Sequence, residues 1–243
     1  MTRAVRRALV TGSSGVIGAA ICRSLARAGH FVYAHAHRGV AAAEALVAEI
    51  IANGGSAQLA VFDVTDGATT RAQLEVVLDQ GPVQILVNNA GIHDDAVFPG
   101  MRAEQWRSVI DVSVNGFFNV TQPLLLPMIR TRWGRIVSTS SVAALMGNRG
   151  QVNYAAAKGA LNSATRALAL EVASRGITVN AVAPGIIATE MTEKMFDAAA
   201  IASLVPMKRA GLPEEVAALV AFLVSEEASY LTAQVISING GMS

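Results

Sequence analysis

Two side chains in the second half of the chain are spaced for proton transfer. Tyr154 and Lys158, within VNYAAAKGAL, lie four residues apart and share one face if this segment is helical. A tyrosine ordinarily titrates at about pH 10, but an adjacent ammonium lowers that pKa and suits the phenol to general acid–base catalysis. The alternative is a surface contact between two helical residues, because Tyr-x-x-x-Lys alone is only moderately specific.

A hydroxyl group precedes this pair at a useful place. Ser141 comes thirteen residues before Tyr154, just after an apolar run that we assign to a strand. Its hydroxyl could hydrogen-bond a substrate carbonyl oxygen and stabilise negative charge developing there. Ser138 and Ser140 compete for this role, and a serine at a strand end is often only a turn residue.

The stretch TGSSGVIG, residues 11–18, is a glycine turn of the kind that binds phosphate. Between a strand and a helix, such a turn directs backbone N–H groups and the helix N-terminus at an anion. Gly12 allows the tight turn and Gly18 allows close packing of the helix, but the first half of G-x-G-x-x-G is missing. A turn without a ligand is the alternative, and the position after the first predicted strand favours dinucleotide binding.

The segment AHAHRG indicates which dinucleotide would bind. It has no carboxylate between Ala34 and Val40, where an acidic residue would bind the adenosine ribose of NAD. His37 and Arg38 are present instead, and a guanidinium suits a 2′-phosphate, which favours NADP(H). The alternative for Arg38 is a solvated loop residue.

The sequence also predicts a framework that would bring these segments together. Short β-rich apolar runs alternate with longer Ala-rich stretches. The predicted strands span 7–11, 31–36, 57–63, 84–89, 134–140, 177–183 and 234–238. The predicted helices span 16–28, 40–53, 68–80, 103–131, 152–174 and 213–225, with a bend or break at Pro123 and Pro127. This order predicts an α/β, doubly wound, Rossmann-type sheet of seven parallel strands with helices on both faces.

Composition narrows the function classes. Of 243 residues, 52% are hydrophobic and 15% charged, which suits a single domain (1–243) with a doubly covered sheet and an oligomer interface. A net charge of +1 gives no sign of a nucleic-acid or membrane partner, and the N-terminal apolar run is too short for a signal peptide. With one cysteine, Cys22, we expect a cytoplasmic protein without a disulfide or a metal site.

Taken together, the motifs resemble the classical short-chain dehydrogenase/reductase family over essentially the whole chain. The matching pieces are TGSSGVIG, FDVTD, LVNNAGI, the set Ser141, Tyr154 and Lys158, VNAVAPGIIAT and INGGM. Within that family the chain is similar to the 3-oxoacyl-[acyl-carrier-protein] reductases, on WGRIVSTSSVAALMGNRGQVNYAAAKGAL and VASRGITVNAVAPGIIATEMT.

The resemblance implies roles for these residues. Tyr154 would protonate the carbonyl oxygen as nicotinamide delivers hydride, Lys158 would bind the nicotinamide ribose and keep the phenol acidic, and Ser141 would orient the carbonyl. Asp63 and Val64 would border the adenine. The implied cofactor-binding positions are Gly12, Ser14, Gly15, Val16, Ile17, Gly18, His37, Arg38, Asp63, Val64, Asn89, Ala90, Gly91, Tyr154, Lys158, Pro184, Gly185, Ile187 and Thr189.

Two positions depart from the family pattern. In T-G-x-x-x-G-x-G the middle glycine would fall at Val16, whose side chain could crowd the pyrophosphate or restrict the backbone; Gly15 takes a slot that is often basic. We expect weaker or altered cofactor binding, with Arg38 as the main 2′-phosphate partner. Ser113 occupies the place of the family's catalytic asparagine, and Asn115 cannot replace it. A proton relay through Ser113 would need an extra water, and activity should survive.

The resemblance also implies a substrate lid and partners. Residues 186–207 mix Met, Phe, Ile and Leu with acids and predict a mobile lid suited to an acyl chain; the alternative is an ordinary amphipathic surface helix. Arg132 and Arg175 align with residues that meet an acidic carrier protein near the active-site mouth, with Arg130 and Arg166 as possible additions. In the family, the helices that correspond to 103–131 and 152–174 form one subunit interface and the C-terminal strand forms another, which implies a homotetramer.

The predicted function is NADPH-dependent reduction of a 3-oxoacyl thioester, carried by acyl carrier protein or another thiol, in fatty acid or polyketide-type biosynthesis. Another alcohol or ketone oxidoreductase of the same family is the nearest alternative. A non-catalytic nucleotide sensor is the alternative from a different class, but a sensor has no need of Ser141, Tyr154 and Lys158 together.

Overall fold

The computed structural model describes residues 5–189, 192 and 196–243. Seven strands form one parallel sheet in the order β3-β2-β1-β4-β5-β6-β7. They are β1 (Arg7–Val10), β2 (Phe31–Ala36), β3 (Ser56–Val61), β4 (Ile85–Asn88), β5 (Gly134–Thr139), β6 (Ile177–Pro184) and β7 (Val235–Ile238). The chain crosses from the edge strand β3 over β1 to β4, so the topology reverses between β1 and β4, where ligands bind in folds of this class.

The helices that separate the strands begin and end close to the predicted limits. They are α1 (Val16–Arg27), α2 (Val40–Ala52), α3 (Gly67–Asp79), α4 (Ala103–Ile110), α5 (Gly116–Thr131), α6 (Ala143–Met146), α7 (Val152–Val172), α8 (Ala198–Leu204) and α9 (Pro213–Leu223). The short α6 and α8 were not predicted. None of the helices in the described part of the chain is long and apolar enough to cross a membrane.

Neighbouring residues of each central strand face two different cores. On β1, Val10 packs with buried residues of α1, α2 and α9, whereas Leu9 packs with α3, α5 and α7. Val137 and Ile136 divide in the same way on β5. Because both faces are covered, every residue of β5 is buried, including the polar Arg135, Ser138 and Thr139. The single doubly wound domain predicted from the sequence is confirmed.

One of the two outcomes predicted for the prolines, a break in the helix, is wrong. Segment 103–131 does not break at Pro123 or Pro127; α5 runs through both prolines. Each proline removes one helical hydrogen bond, but its fixed φ suits a helix, and burial of Val120, Leu124 and Met128 in the α3–α5–α7 core holds the segment together. The interruption lies earlier, at a π-helical turn over Asp111–Asn115.

The predicted lid, 186–207, falls only partly within the description. Glu190, Met191, Glu193, Lys194 and Met195 lie outside the described residues. At its ends the segment is attached to the body of the protein: Ile187 pairs with Gly211, and Met207 N donates to Gly240 O at 3.1 Å. That the segment acts as a lid stays a prediction.

Candidate active site

The glycine loop after β1 is shaped by close contact with the loop after β4. Gly12 has φ +68°, and a Cβ there would lie 2.9 Å from Ala90 Cα, so no other residue fits. A Cβ on Gly18 would lie 2.8 Å from Asn89 Nδ2. The sequence prediction that these glycines permit a tight turn and close packing agrees with this geometry.

The N-terminus of α1 provides the donors for an anion. Gly15 is its N-cap, and the first helical hydrogen bond runs from Ala19 N to Gly15 O at 2.8 Å. The N–H groups of Val16, Ile17 and Gly18 therefore precede the helical ladder and point out of the helix end. Such an end suits a pyrophosphate.

Val16 does not strain the backbone, contrary to one of the two concerns raised by the sequence. It is the first helical residue of α1, and its side chain is 49% exposed. Gly15 has φ −84° and ψ 156°, a conformation open to any residue. Whether the Val16 side chain crowds a pyrophosphate remains a prediction.

Asn89 and Thr11 connect the two loops. Thr11 Oγ1 accepts hydrogen bonds from the N–H groups of Asn89 and Ala90, both at 2.9 Å. Asn89 Nδ2 donates to Thr11 O at 2.9 Å, and its Oδ1 accepts from Thr139 Oγ1 at 3.3 Å. The Asn89 side chain thus holds β1, β4 and β5 in register at their carboxyl ends.

A cleft beside the glycine loop contains the predicted adenosine-binding residues. Among the residues that line it are Gly12, Ser14, His35, His37, Arg38, Asp63, Val64, Ala90 and Gly91. His37 Nδ1 lies 3.5 Å from Asp63 Oδ2. Partial burial raises the pKa of Asp63, but hydrogen bonds from Thr65 and the charges of His37 and Arg38 outweigh it and hold the pKa below its usual value.

The structure brings Ser141, Tyr154 and Lys158 together at the carboxyl end of β5. The Ser141 hydroxyl is close enough to Tyr154 to act on the pKa of the phenol, and Ser141 Oγ accepts from Ala143 N at 3.1 Å. Lys158 Nζ lies 5.6 Å from the centre of the Tyr154 ring and donates to Thr139 O at 2.8 Å. This is the arrangement that the sequence spacing predicted for acid–base chemistry.

The predicted lowering of the Tyr154 pKa by Lys158 is wrong for this structure. Burial raises the pKa of Tyr154, the hydrogen bond with Ser141 opposes the rise, and the Asp95 carboxylate adds to it. Burial also lowers the pKa of Lys158 to about 8. The Lys158 amine is directed at a backbone carbonyl group, and burial of the phenol is the main influence on the pKa of Tyr154.

Close packing also fixes the position of Lys158. A Cβ on Gly91 would lie 3.0 Å from Lys158 Nζ, so Gly91 makes room for the amine. The competing serines are buried beneath the cleft: Ser140 Oγ donates to Lys158 O at 3.3 Å, and Ser138 is fully buried. Ser141 is the partly exposed member of the three.

Ser113 lies on the π-helical turn. It is 3% exposed, and its Oγ makes no hydrogen bond within the described part of the chain. Ser113 lines a small cavity with Thr11, Asn88 and Leu161. The Asn115 side chain instead donates to Asp111 Oδ1 at 2.7 Å on the exposed surface.

The end of β6 and the turn after it contain the predicted cofactor-binding residues Pro184, Gly185, Ile187 and Thr189. Pro184 O accepts from Val142 N at 2.8 Å, which joins this turn to the loop that carries Ser141. A Cβ on Gly185 would lie 2.8 Å from Asn239 Cα. Thr189 N donates to Thr192 Oγ1 at 2.8 Å.

Sequence reasoning missed several residues next to the site. The His93 ring lies 5.9 Å from the Tyr154 ring. Asn153 is fully buried, donates to Asp94 O and Gln105 O, both at 3.0 Å, and thereby anchors the first turn of α7. Adjacency to the Tyr154 and NNAG motifs was the only sequence signal for these residues. His35, also missed, contacts the glycine loop.

Arg132 and Arg175 are not near Tyr154 in the same chain. They lie beside each other, since Arg132 Nη2 donates to Ser174 O at 3.4 Å. Each precedes a strand, β5 or β6, so both lie at the amino end of the sheet, and α7 separates them from Tyr154 by about 30 Å. Within one chain these arginines therefore lie at the far end of α7 from Tyr154, and their role in carrier docking stays a prediction.

The fold and the site define an α/β enzyme with a dinucleotide crevice and a serine–tyrosine–lysine group. The model of the short chain dehydrogenase family matches residues 6–200, and the chain belongs to this family. It is 44% identical over 237 residues to a 3-oxoacyl-[acyl-carrier-protein] reductase of Synechocystis sp., covering 97% of this chain and 96% of the relative.

Two further relatives are similar over comparable lengths. A 3-oxoacyl-[acyl-carrier-protein] reductase of Aggregatibacter actinomycetemcomitans is 42% identical, with 96% and 98% of the two chains covered. Nodulation protein G of Azospirillum brasilense is 43% identical, with 97% of each chain covered. Family membership makes this chain an oxidoreductase that uses a nicotinamide cofactor.

Proposed function

We propose that the protein is an NADPH-dependent reductase of 3-oxoacyl thioesters carried by acyl carrier protein, active in the cytoplasm in fatty acid or related polyketide-type biosynthesis. The observation that carries the proposal is that Ser141, Tyr154 and Lys158 lie together at the carboxyl end of the sheet, with the buried Lys158 Nζ 5.6 Å from the centre of the Tyr154 ring. Two relatives above 40% identity are named as reductases of this kind.

Tyr154 is the proton donor in this proposal. Its raised pKa keeps the phenol protonated at neutral pH, which is the form required to give a proton to a carbonyl oxygen during reduction. The Ser141 hydroxyl shares the same small region and would orient that oxygen. A bound nicotinamide would supply the hydride that goes to the carbonyl carbon.

The residues present fit such a cofactor. The first-turn N–H groups of α1 suit its pyrophosphate, and Gly12 and Gly91 are among the residues that line the cleft beside them. Lys158 Nζ, an ammonium with three donors, makes a hydrogen bond with Thr139 O at 2.8 Å and can donate to ribose hydroxyl groups as well. We assign Asp63 and Val64 to the adenine and Ile187 and Thr189 to the nicotinamide end.

Arg38 carries the proposed preference for NADPH. Arg38 and His37 line the adenosine cleft, and Ser14 Oγ donates to Arg38 O at 3.4 Å, which links this pair to the glycine loop. A guanidinium there would bind the 2′-phosphate. Arg38→Ala should therefore weaken NADPH binding far more than NADH binding, and equal losses would show that the phosphate binds elsewhere.

Ser113 would assist proton resupply from its buried position in the π-helical turn. We assign its hydroxyl to a relay that reaches Lys158 through water. Because Ser113 is shorter than the asparagine of the family, the relay would need one additional water molecule.

Carrier docking in this proposal requires a second copy of the chain. Phe118, Leu126 and Leu170 expose apolar surface on α5 and α7, as a subunit interface would. A two-fold axis across these helices makes them antiparallel, so the Arg132 and Arg175 of one copy would approach the cleft of the other. We propose a homotetramer built on this interface and the C-terminal strand, with residues 186–207 as the lid over the acyl chain.

A spectrophotometric assay tests the function. The purified protein should oxidise NADPH in the presence of acetoacetyl-carrier protein, and more slowly with the coenzyme A thioester, whose small carrier lacks the acidic docking surface. Substitution of Arg132 and Arg175 by Ala should raise the KM for the carrier substrate and leave that for the coenzyme A thioester unchanged. NADPH binding without turnover of either thioester would overturn the reductase proposal.

A further inference from the structure

His35 lies at the carboxyl end of β2, directly beneath the glycine loop. It is 2% exposed and is among the residues lining the adenosine cleft. Gly12 N donates to His35 Nδ1 at 3.2 Å, and Ser13 N donates to the His35 carbonyl group at 2.8 Å. Two successive N–H groups of the loop are therefore held by one residue.

The second ring nitrogen of His35 determines which tautomer is present. Nε2 lies 2.9 Å from Phe62 O, and because a carbonyl oxygen only accepts, Nε2 must carry the proton. Nδ1 is then a pure acceptor, as the bond from Gly12 N requires. The imidazole also packs on the Phe62 ring at a centroid distance of 4.0 Å, so it has a single well-defined orientation.

The His35 side chain thus bridges two segments that border the cleft from different strands. On one side is the turn at Gly12, whose positive φ and bond from Gly15 N to Gly12 O at 3.2 Å set the direction of the α1 N-terminus. On the other side is Phe62, the residue before Asp63 and Val64. An acceptor at the δ position holds the loop, and a donor at the ε position holds the segment after β3.

We propose that His35 is a positioning residue for the dinucleotide: its Nδ1 fixes the Gly12 peptide so that the N–H groups at the start of α1 face the pyrophosphate. This inference rests on the cofactor site proposed above. The two ring nitrogens have different roles in this proposal. The Nδ1 acceptor toward Gly12 N affects cofactor binding, whereas the Nε2 donor toward Phe62 O affects mainly packing.

Two substitutions separate these contacts. His35→Asn keeps an acceptor, Oδ1, at the position of Nδ1 and loses the donor to Phe62 O. His35→Gln carries its amide one bond further out, so it can reach Phe62 O but not Gly12 N. His35→Leu removes both, and His30→Asn is the matched control, since His30 is a buried histidine at the opposite end of the same strand.

The experiment measures NADPH binding to each full-length variant by fluorescence titration, together with kcat, KM and thermal stability. His35→Asn should keep the NADPH Kd within about threefold of the wild-type value, whereas His35→Gln and His35→Leu should raise it about tenfold, the scale expected for an unpaired buried N–H. At saturating NADPH, kcat should stay within about twofold, and His30→Asn should leave the Kd unchanged.

Different results would contradict the positioning role of His35 and the assignment of NADPH as the cofactor. If His35→Gln binds NADPH as well as the wild-type protein does, or if His35→Asn weakens binding as much as His35→Gln, the positioning role is wrong. If the wild-type protein itself does not bind NADPH, the proposed cofactor is wrong and this inference falls with it. If His35→Leu does not fold, the comparison of Asn with Gln still decides the matter.

Discussion

Each end of the sheet buries one cation, and the two cations differ in how many hydrogen-bond partners they have. At the amino end, Arg135 is 2% exposed and donates to Gly134 O at 2.9 Å, to Ser225 O and Gly176 O at 3.4 Å, and to Glu226 Oε2 at 3.4 Å. Its guanidinium also lies 4.3 Å from the centre of the Trp133 ring. At the carboxyl end, Lys158 is equally buried, and within the described residues its Nζ bonds to Thr139 O.

This difference separates a cation whose partners are supplied by the protein from one that is left with free donors beside the proposed cofactor site. Burial lowers the pKa of Arg135 and the Glu226 carboxylate opposes the change, so the guanidinium stays charged, and four hydrogen bonds pair it with the protein. Burial lowers the pKa of Lys158 to about 8, and no carboxylate among the described residues opposes this change. An incompletely satisfied buried ammonium costs stability, which is reasonable where a ligand completes its hydrogen bonds.

The largest expected effect comes from removing the Tyr154 hydroxyl, compared with removal of a buried tyrosine hydroxyl away from the site. Tyr154→Phe should lower kcat about 1,000-fold, because the proton donor is lost, while the NADPH Kd stays near the wild-type value. The matched control is Tyr33→Phe: this buried hydroxyl accepts from Arg7 Nη1 at 2.8 Å and donates to Gln80 Oε1 at 3.2 Å. Steady-state kinetics should show no change in kcat for Tyr33→Phe, with a loss of about 1 kcal/mol in unfolding free energy. Substantial turnover by Tyr154→Phe would remove the phenol from the mechanism.

Replacing each buried cation by methionine should produce opposite results. Lys158→Met should lower kcat/KM about 100-fold or more and leave the free energy of unfolding unchanged or higher, because an apolar side chain replaces a poorly paired charge. Arg135→Met should lower the free energy of unfolding by about 3 kcal/mol, since several carbonyl groups and Glu226 lose their donor, and should leave kcat/KM unchanged. Urea titration and kinetics measure both. A stability loss in Lys158→Met as large as that in Arg135→Met would contradict the distinction.

Acid should lower the free energy of unfolding, because protonation of His35 is unfavourable in the folded protein. Burial lowers its pKa from 6.5 to about 4, so between these values the unfolded chain binds a proton that the folded chain does not. Stability attributable to His35 is therefore complete above pH 6.5 and falls by about 3 kcal/mol as the pH drops to 4. Urea titrations across this range should show a smaller decline for His35→Asn than for the wild-type protein. An equal decline in unfolding free energy for the wild-type protein and His35→Asn would mean that folding does not lower the pKa of His35.

The smallest effect should come from Ser113. Ser113→Ala should lower kcat about threefold, the scale of one weak hydrogen bond in a water relay. Ser138→Ala is the control, because Ser138 Oγ is likewise buried without a hydrogen bond to the described residues but belongs to β5 rather than the π-helical turn. Ser113→Asn should change the pH profile of kcat. Unchanged kinetics and pH dependence in both Ser113 variants would show that this departure from the family has no consequence.

The strands, the main helices and the central site group could be predicted because each depends on local patterns. Apolar runs located β1 to β7 to within two residues at each end, and the spacing from Ser141 to Lys158 identified three side chains that the structure brings together. The π-helical turn was missed because DVSVN continues the apolar spacing of a helix. The pKa of Tyr154 and the contacts of His35 were missed because both depend on burial and on segments far apart in the chain.

The ordinary backbone at Gly15 bears on how this unusual glycine loop could have arisen. A Cβ at this position would meet only Gly12 O, at 3.5 Å, which is normal contact, and Val16 already occupies a relaxed helical turn. Intermediates between the common family pattern and the present one would therefore all fold, so selection could exchange a basic group or a glycine here one substitution at a time. An engineer seeking tighter cofactor retention has the same freedom at these two adjoining positions.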